Sequence, residues 1–227
     1  MKAAAIIPAA GGGVRLEAGK PKAFVTLSGR PMLFYTLRTL AGLDELVEVV
    51  IALPPGREEA ARSEIKASGL KVPVKITPGG RERRDSVRIA LQLVSAEAEL
   101  VTIHDAARPL APPSLFRSCL ESAARCGAAI AAIAAMDTLK RVNHRRVTET
   151  VSRIGLWQAQ TPQAFQRDLL VRAHAEALRS DRTATDDAEL VERLGYTVEV
   201  VEGVASNFKI TTRSDLELAA QLLSATD

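Results

Sequence analysis

The stretch AAAIIPAAGGGVRLEAGKPK, Ala3 to Lys22, sets the reading of the fold. Ala3 to Ile7 is small and apolar, and reads as a buried strand that stops at Pro8. Small residues and a glycine triplet follow, Ala9, Ala10, Gly11, Gly12 and Gly13, and then the cations Arg15, Lys20 and Lys22. A strand that empties into a glycine-rich, cation-bearing loop suits phosphate, because backbone N–H groups approach an anion closely where no side chain blocks them. The loop is not a Walker loop, since no Lys-Ser or Lys-Thr follows the glycines. Nor is it a full dinucleotide fingerprint, since Leu16 stands where the third glycine belongs.

Outward from this strand, apolar runs alternate with amphipathic ones. A helix is predicted over Pro31 to Leu40, with Leu33, Leu37 and Leu40 on one face. LVEVVIAL, Leu46 to Leu53, is the second strand, and Arg57 to Ala67 a helix ending near Gly69. Val72 to Thr77 is a strand edged by Pro73, and Asp85 to Val94 a helix with Val87, Ala90, Leu91 and Val94 inward. Leu100 to His104 is a strand, Pro112-Pro113 opens a helix to Arg125, and Ala128 to Ala134 is a strand. After Thr161-Pro162 come a helix over Arg167 to Leu178 and one opened by Thr185 or Asp186 that runs to Leu194. Val198 to Val201 is a strand, and Thr212 or Ser214 caps a last helix to Leu223. This alternation predicts an α/β fold: a Rossmann-like three-layer sandwich with a mostly parallel sheet. Ligands bind such sheets outside the strands' carboxyl ends. The loops after Ile7, Thr77 and Ile103 lie there, and they hold the unusual residues.

With 227 residues, 47% hydrophobic and 25% charged, the chain reads as one domain with a substantial core. Within it, 137–160 stands apart as a β-arm. No apolar run reaches the length of a membrane span, and the short apolar start runs into Pro8, against a signal peptide. Net charge is +3, but the basic residues are scattered and aromatics are only 4%, which favours small anionic substrates over nucleic acid. Cys119 and Cys126, about 10 Å apart along one predicted helix, are too far apart for a disulfide and read as core fillers in a reducing cytoplasm.

The second loop is GGRERRDS, Gly79 to Ser86, and alone it is equally a charged turn capping a helix. The third is HDAARP, His104 to Pro109. An acid at a strand's carboxyl end beside a phosphate loop suits a divalent metal, since Mg²⁺ commonly takes one or two carboxylates plus phosphate oxygens and water. The alternative for Asp105 is a turn formed by its own side chain. Met136 to Gln160 breaks the rhythm: it is alternating, β-prone and charged, with Asn143-His144 as a turn. It reads either as a solvated excursion or as a protruding arm that pairs with another subunit.

Taken in order, these pieces resemble the 2-C-methyl-D-erythritol 4-phosphate cytidylyltransferase family. The resemblance rests on PAAGGGVR (Pro8 to Arg15), KPK (Lys20 to Lys22), GGRERRDSV (Gly79 to Val87), HDAARP and DTLKR (Asp137 to Arg141). It continues through GLWQAQTPQ (Gly155 to Gln163), TDDA (Thr185 to Ala188) and NFKIT (Asn207 to Thr211), and so covers nearly the whole chain. It implies cytidylyl transfer from CTP to a polyol phosphate, with release of pyrophosphate, in non-mevalonate isoprenoid synthesis.

The resemblance implies roles residue by residue. Arg15, Lys22 and Lys209 would grip the phosphates, along with the small residues Ala9, Ala10, Gly11, Gly12 and Gly13. Asp105 would help hold Mg²⁺ or another divalent cation, with Ala106 beside it. Ser86, the backbone of Gly79 and Gly80, and Arg83 would read the cytosine. Thr138 and Arg153, on the arm, would bind the sugar phosphate in a neighbouring subunit's site, making the protein a homodimer. Arg108, Thr161, Thr185 and Asp186 would form the wall. Lys20 becomes a flanking charge. Two positions depart from the family pattern: Val14 replaces a polar or basic residue, and Arg81 stands where an acid or small residue is common. A ribitol 5-phosphate cytidylyltransferase, a sugar-1-phosphate nucleotidylyltransferase and a non-catalytic nucleotide-binding regulator are the competing readings. PAAG and Arg153 argue against the first, GGRERRDS against the second, and the intact Arg15, Lys22, Asp105 and Lys209 against the third.

Overall fold

A computed structural model describes residues 1–12, 19–180 and 184–225. In chain order it runs β1 (Ala3–Pro8), the small hairpin β2 (Thr26–Leu27) and β3 (Arg30–Pro31), α1 (Met32–Leu40), β4 (Leu46–Leu53) and α2 (Glu58–Ser68). Then come β5 (Val74–Pro78), α3 (Arg83–Leu91), β6 (Leu100–Ile103), α4 (Pro113–Cys126), β7 (Ala128–Ala134), and the arm strands β8 (Leu139–Asn143) and β9 (Arg146–Val151). The chain closes with β10 (Trp157–Gln166), α5 (Arg167–Ser180), α6 (Asp187–Arg193), β11 (Glu199–Glu202) and α7 (Arg213–Ser224).

Among the described residues the main sheet has seven strands in the order β11-β7-β10-β6-β1-β4-β5. β1 pairs in parallel with β4 on one side and β6 on the other. The chain moves outward from β1 to β4 and β5, then returns to the far side of β1 as β6. The direction of travel reverses between β1 and β6, and such a reversal opens a crevice at the strands' carboxyl ends.

β1 also divides the core. Ala3, Ala5 and Ile7 face one cluster, which takes Leu33, Leu37 and Leu40 of α1, Ala61 of α2, and Leu115, Phe116 and Leu120 of α4. Ala4 and Ile6 face the opposite cluster, with Val87 and Ala90 of α3, Leu170 of α5 and Val191 of α6. A sheet buried on both faces needs near-continuous apolar strands, which is what β1 and β4 supply. Glu48 is the exception within β4. It is buried, and its carboxylate accepts from the Ser95 amide at 2.5 Å and pairs with Lys75 Nζ at 2.6 Å. The three-layer, mostly parallel architecture expected from the sequence is thus the one observed.

Three local expectations are corrected. The last residues of the expected 137–160 arm, from Trp157 on, belong to β10, which runs antiparallel between β6 and β7 in the main sheet. The polar letters of WQAQTPQAFQ hide this buried strand. Gln160 and Gln163 are buried because their amides find partners: Gln160 Nε2 donates to the Val204 carbonyl at 3.1 Å, and Gln163 Nε2 to Asp186 at 2.8 Å. The arm hairpin β8–β9 turns at His144-Arg145 rather than Asn143-His144, with φ of 46° and 64°, a two-residue turn whose twist matches the strands it joins.

Cys126, expected in the core, is exposed at the last residue of α4, whereas Cys119 is buried. Burial pushes the Cys119 thiol up to about 12, so it carries almost no thiolate near neutral pH. A disulfide-exchange reagent at pH 8 is therefore expected to titrate one thiol rapidly in the native protein and both after denaturation. Rapid reaction of both in the native protein would contradict this packing.

Candidate active site

Three loops at the carboxyl ends of β1, β5 and β6 enclose a cleft of about 310 Å³. Ala9, Ala10, Gly11 and Gly12 line it from the first loop, together with Lys22. The second loop adds Gly80, Arg81, Glu82, Arg83 and Ser86; the third adds Asp105, Ala106 and Ala107; Lys209 closes it. Gly13, Val14 and Arg15 lie outside the described residues.

The first two loops touch. The Gly79 amide donates to the Leu53 carbonyl at 2.8 Å, and a Cβ added to Gly79 would stand 2.1 Å from the Ala10 Cβ. Only glycine permits that approach, so the pair Gly79-Gly80 is a steric requirement. A Cβ on Gly80 would meet the Asp85 Cβ at 2.2 Å. Ser86 pins the turn: its Oγ accepts from the Gly80 amide at 3.0 Å and donates to the Glu82 carbonyl at 3.2 Å. The Glu82 and Asp85 side chains cap the start of α3 reciprocally.

Asp105 is the electrostatic centre. It is 7% exposed, and each oxygen holds a cation: Oδ1 takes Arg83 Nε at 2.8 Å and Oδ2 takes Lys209 Nζ at 2.6 Å. Burial alone would raise this carboxyl; the adjacent guanidinium and ammonium outweigh burial and hold it well below the usual carboxylate range. The Asp105 amide donates to Thr161 Oγ1 at 3.0 Å, and Thr161 Oγ1 lies 3.1 Å from His104 Nδ1. His104 Nε2 faces the Arg108 carbonyl at 3.0 Å, and a carbonyl can only accept, so Nε2 carries the hydrogen and Nδ1 accepts from Thr161. Burial pushes His104 down to about 4, which keeps this ring neutral near pH 7. His104 and Thr161 thus fix the backbone of Asp105.

The remaining expected residues brace the cleft rather than line it. Arg108 Nη1 donates to the Asn207 carbonyl at 2.7 Å and Nη2 to the Ala159 carbonyl at 3.3 Å, tying the Lys209 loop to β10. Thr185 and Asp186 organise the start of α6: Asp186 accepts from the Glu189 amide at 3.0 Å, and Thr185 Oγ1 donates to Glu189 at 3.0 Å. Thr138 and Arg153 are exposed on the arm and are not among the residues lining the cleft; the Arg153 guanidinium donates to the Met136 carbonyl.

Three buried polar residues behind the cleft, Asn207, Asp187 and His174, had no role assigned from the sequence, although NFKIT and TDDA contain the first two. Asn207 Nδ2 donates to Gln160 Oε1 at 2.9 Å and to the Thr161 carbonyl at 2.8 Å, which seats the loop carrying Lys209. Asp187 takes Arg83 Nη1 at 2.6 Å, and His174 Nε2 lies 3.1 Å from its other oxygen. The one signal for Asp187 was the doubled acid of TDDA, where one Asp caps α6 and the next turns inward.

Comparison with known proteins places this arrangement. The family model described as 2-C-methyl-D-erythritol 4-phosphate cytidylyltransferase matches residues 3–225. A protein of that description from Syntrophus aciditrophicus is 41% identical over 224 residues, covering 98% of this chain and 96% of the relative. One from Deinococcus radiodurans is 44% identical, covering 100% of this chain and 91% of the relative. The crystal structure of the Thermus thermophilus enzyme of that name superposes with a TM-score of 0.83 at 38% identity, covering 99% of this chain and all of that one.

Proposed function

We infer that this chain, which belongs to the 2-C-methyl-D-erythritol 4-phosphate cytidylyltransferase family, transfers a cytidylyl group from CTP to 2-C-methyl-D-erythritol 4-phosphate in isoprenoid precursor synthesis. The observation that carries the reading is the meeting of Lys22, Arg83, Asp105 and Lys209 in one cleft at the β1/β6 reversal. An oxygen of the 4-phosphate attacks the α-phosphorus of CTP. A phosphorus–oxygen bond forms there as the bond to the β-phosphate oxygen breaks, giving 4-diphosphocytidyl-2-C-methyl-D-erythritol and pyrophosphate.

A phosphate monoester, with a second pKa of about 6, is already a nucleophile near neutral pH, so no strong base is needed. The work is positioning and charge stabilisation. Lys22 and Arg15 grip the triphosphate, with the backbone of Ala9 to Gly13. The Gly79-Gly80 turn, shaped by Ser86, reads the base. Lys209 leaves Asp105 for a phosphate oxygen as CTP enters, exchanging one anionic partner for another from a side chain that is 41% exposed. Asp105 is the residue that would hold Mg²⁺, since one carboxylate beside a triphosphate is a donor set that ion accepts. Bound there, Mg²⁺ would neutralise triphosphate charge.

The arm supports a homodimer. Thr138 and Arg153 are exposed and do not line their own cleft, and the exposed apolar residues Met136, Val142, Val147 and Ile154 flank them. A two-stranded hairpin is marginal alone. It gains a partner if it crosses to a second copy and delivers Arg153 to that copy's acceptor phosphate. Two free cysteines and no described helix long and apolar enough to cross a membrane are in keeping with a cytoplasmic enzyme.

Pyrophosphate release from CTP and Mg²⁺, assayed with each polyol phosphate in turn, tests the reading. Release is expected with 2-C-methyl-D-erythritol 4-phosphate. Release only with ribitol 5-phosphate, or with none, would overturn it.

A further inference from the structure

The turn from Gly79 to Ser86 engages all but one of its charged side chains within the protein. Arg83 Nε holds Asp105 Oδ1 at 2.8 Å, and its Nη1 holds Asp187 Oδ2 at 2.6 Å. Glu82 and Asp85 cap α3 reciprocally, and Arg84 Nη2 lies 3.9 Å from Glu82. Arg81 is different. It lines the cleft and is exposed, and among the described residues its guanidinium has no hydrogen bond, ion pair or ring contact.

The backbone around it, by contrast, is held on both sides. The Gly80 amide donates to Ser86 Oγ at 3.0 Å, and the Glu82 amide donates to Asp85 Oδ2 at 3.2 Å. The Arg81 Cα is therefore fixed at the cleft while the side chain it carries is solvated. Nor does that side chain hold the fold, since Arg81 lies outside the three apolar clusters.

Charge balance makes the position matter. Arg83 and Lys209 also line the cleft, and the carboxylates of Asp105 and Asp187 match them. Charges matched in this way give little net field at the opening. Arg81 has no described carboxylate opposite it, so its full charge faces whatever enters. On a convex surface such a residue is idle solvated charge. On the wall of a concave site it acts on a polyanion, because low-dielectric walls focus the field into the opening.

We propose that Arg81 is a CTP-capturing residue, whose unmatched charge attracts the triphosphate and sets affinity for the nucleotide rather than turnover. The proposal rests on the cytidylyltransferase reading of the cleft.

The test is CTP binding by calorimetry, with the full-length protein and Mg²⁺ but no acceptor. Arg81→Gln removes the charge and keeps most of the length, whereas Arg81→Lys keeps the charge. At low ionic strength Arg81→Gln is expected to bind CTP about fivefold more weakly, the scale of one exposed charge pair, and Arg81→Lys to bind like the parent. The deficit should shrink as salt is raised, since exposed charges are screened beyond about 10 Å at 0.1 M ionic strength and over shorter distances above it. CMP, with two fewer phosphates, should lose less than CTP. In pyrophosphate release the loss should appear as a higher KM for CTP at low salt, with little change in kcat at saturating CTP. The unfolding temperature should stay at the parent's value, because the Arg81 side chain holds no partner.

Parent-like CTP binding by Arg81→Gln at low salt overturns the proposal. So does a deficit that salt leaves untouched or that CMP shares in full, since either would put Arg81 on the base rather than on the phosphate charge. A fall in kcat with CTP binding unaltered overturns it as well. A parent protein that binds CTP but releases no pyrophosphate with any polyol phosphate would fail the functional reading alone, since the variants are still ranked by CTP binding. A parent that binds no CTP would fail both.

Discussion

Replacing Lys22 by alanine is expected to cut pyrophosphate release by about a hundredfold or more, the cost of removing a transition-state charge donor, while leaving thermal unfolding nearly unchanged. The separation follows from how Lys22 is held. Its amide donates to the Gly11 carbonyl at 3.1 Å and its carbonyl accepts from the Val25 amide at 3.1 Å, so the backbone closes the first loop whatever the side chain is. The side chain lines the cleft and lies outside the three apolar clusters. Loss of the ammonium therefore removes charge from the triphosphate site without opening a cavity. The α-phosphate gains negative charge as it becomes five-coordinate, so the loss should appear mainly in kcat, with a smaller rise in KM for CTP. Arg15→Ala is expected to act in the same direction. Near-normal turnover of Lys22→Ala would sink the triphosphate assignment, and a large drop in unfolding temperature would show that the loop depends on the side chain after all.

Most of the fold was legible because burial on both faces of a parallel sheet writes an unbroken apolar signal. LVEVVIAL is β4 to the residue, and AAIAAIA is β7. The α1 face of Leu33, Leu37 and Leu40 was equally plain, since all three contact one core. β10 was missed because its burial is secured by polar partners: a glutamine held by the Val204 carbonyl or by Asp186 looks the same in a sequence as one in solvent. The site divides along the same line. Lys22, Asp105 and Lys209 sit in segments that follow strands, and Ser86 in the first turn of α3 just beyond the second loop, where unusual residues stand out against turn composition. Asp187 and His174 sit in helices, where an acid or a histidine is unremarkable. Their meaning comes from Arg83, 104 residues from Asp187 in the chain, and only packing brings the three together.

Mixing two inactive variants, Lys22→Ala and Arg153→Ala, is expected to restore activity. Lys22 lines the cleft of its own chain, whereas Arg153 is exposed on the segment after β9 and does not line that cleft. If the arm serves the second copy, a hybrid dimer holds one cleft with both defects and one with neither. Random exchange makes about half of the dimers hybrids, so roughly a quarter of parental turnover should return, against a background about a hundredfold lower for each variant alone. The recovery should require subunit exchange, rising with incubation and reaching a plateau. An arm folded back on its own chain gives the opposite result, because every cleft in the mixture then carries one defect or the other. Hybrids shown to form by native mass spectrometry, yet no more active than the parents, would mean that Arg153 does not act in trans. The same mixture with Lys22→Ala and Lys209→Ala is the built-in control. Both residues line one chain's cleft, so each cleft of that hybrid lacks a cation and no recovery is expected.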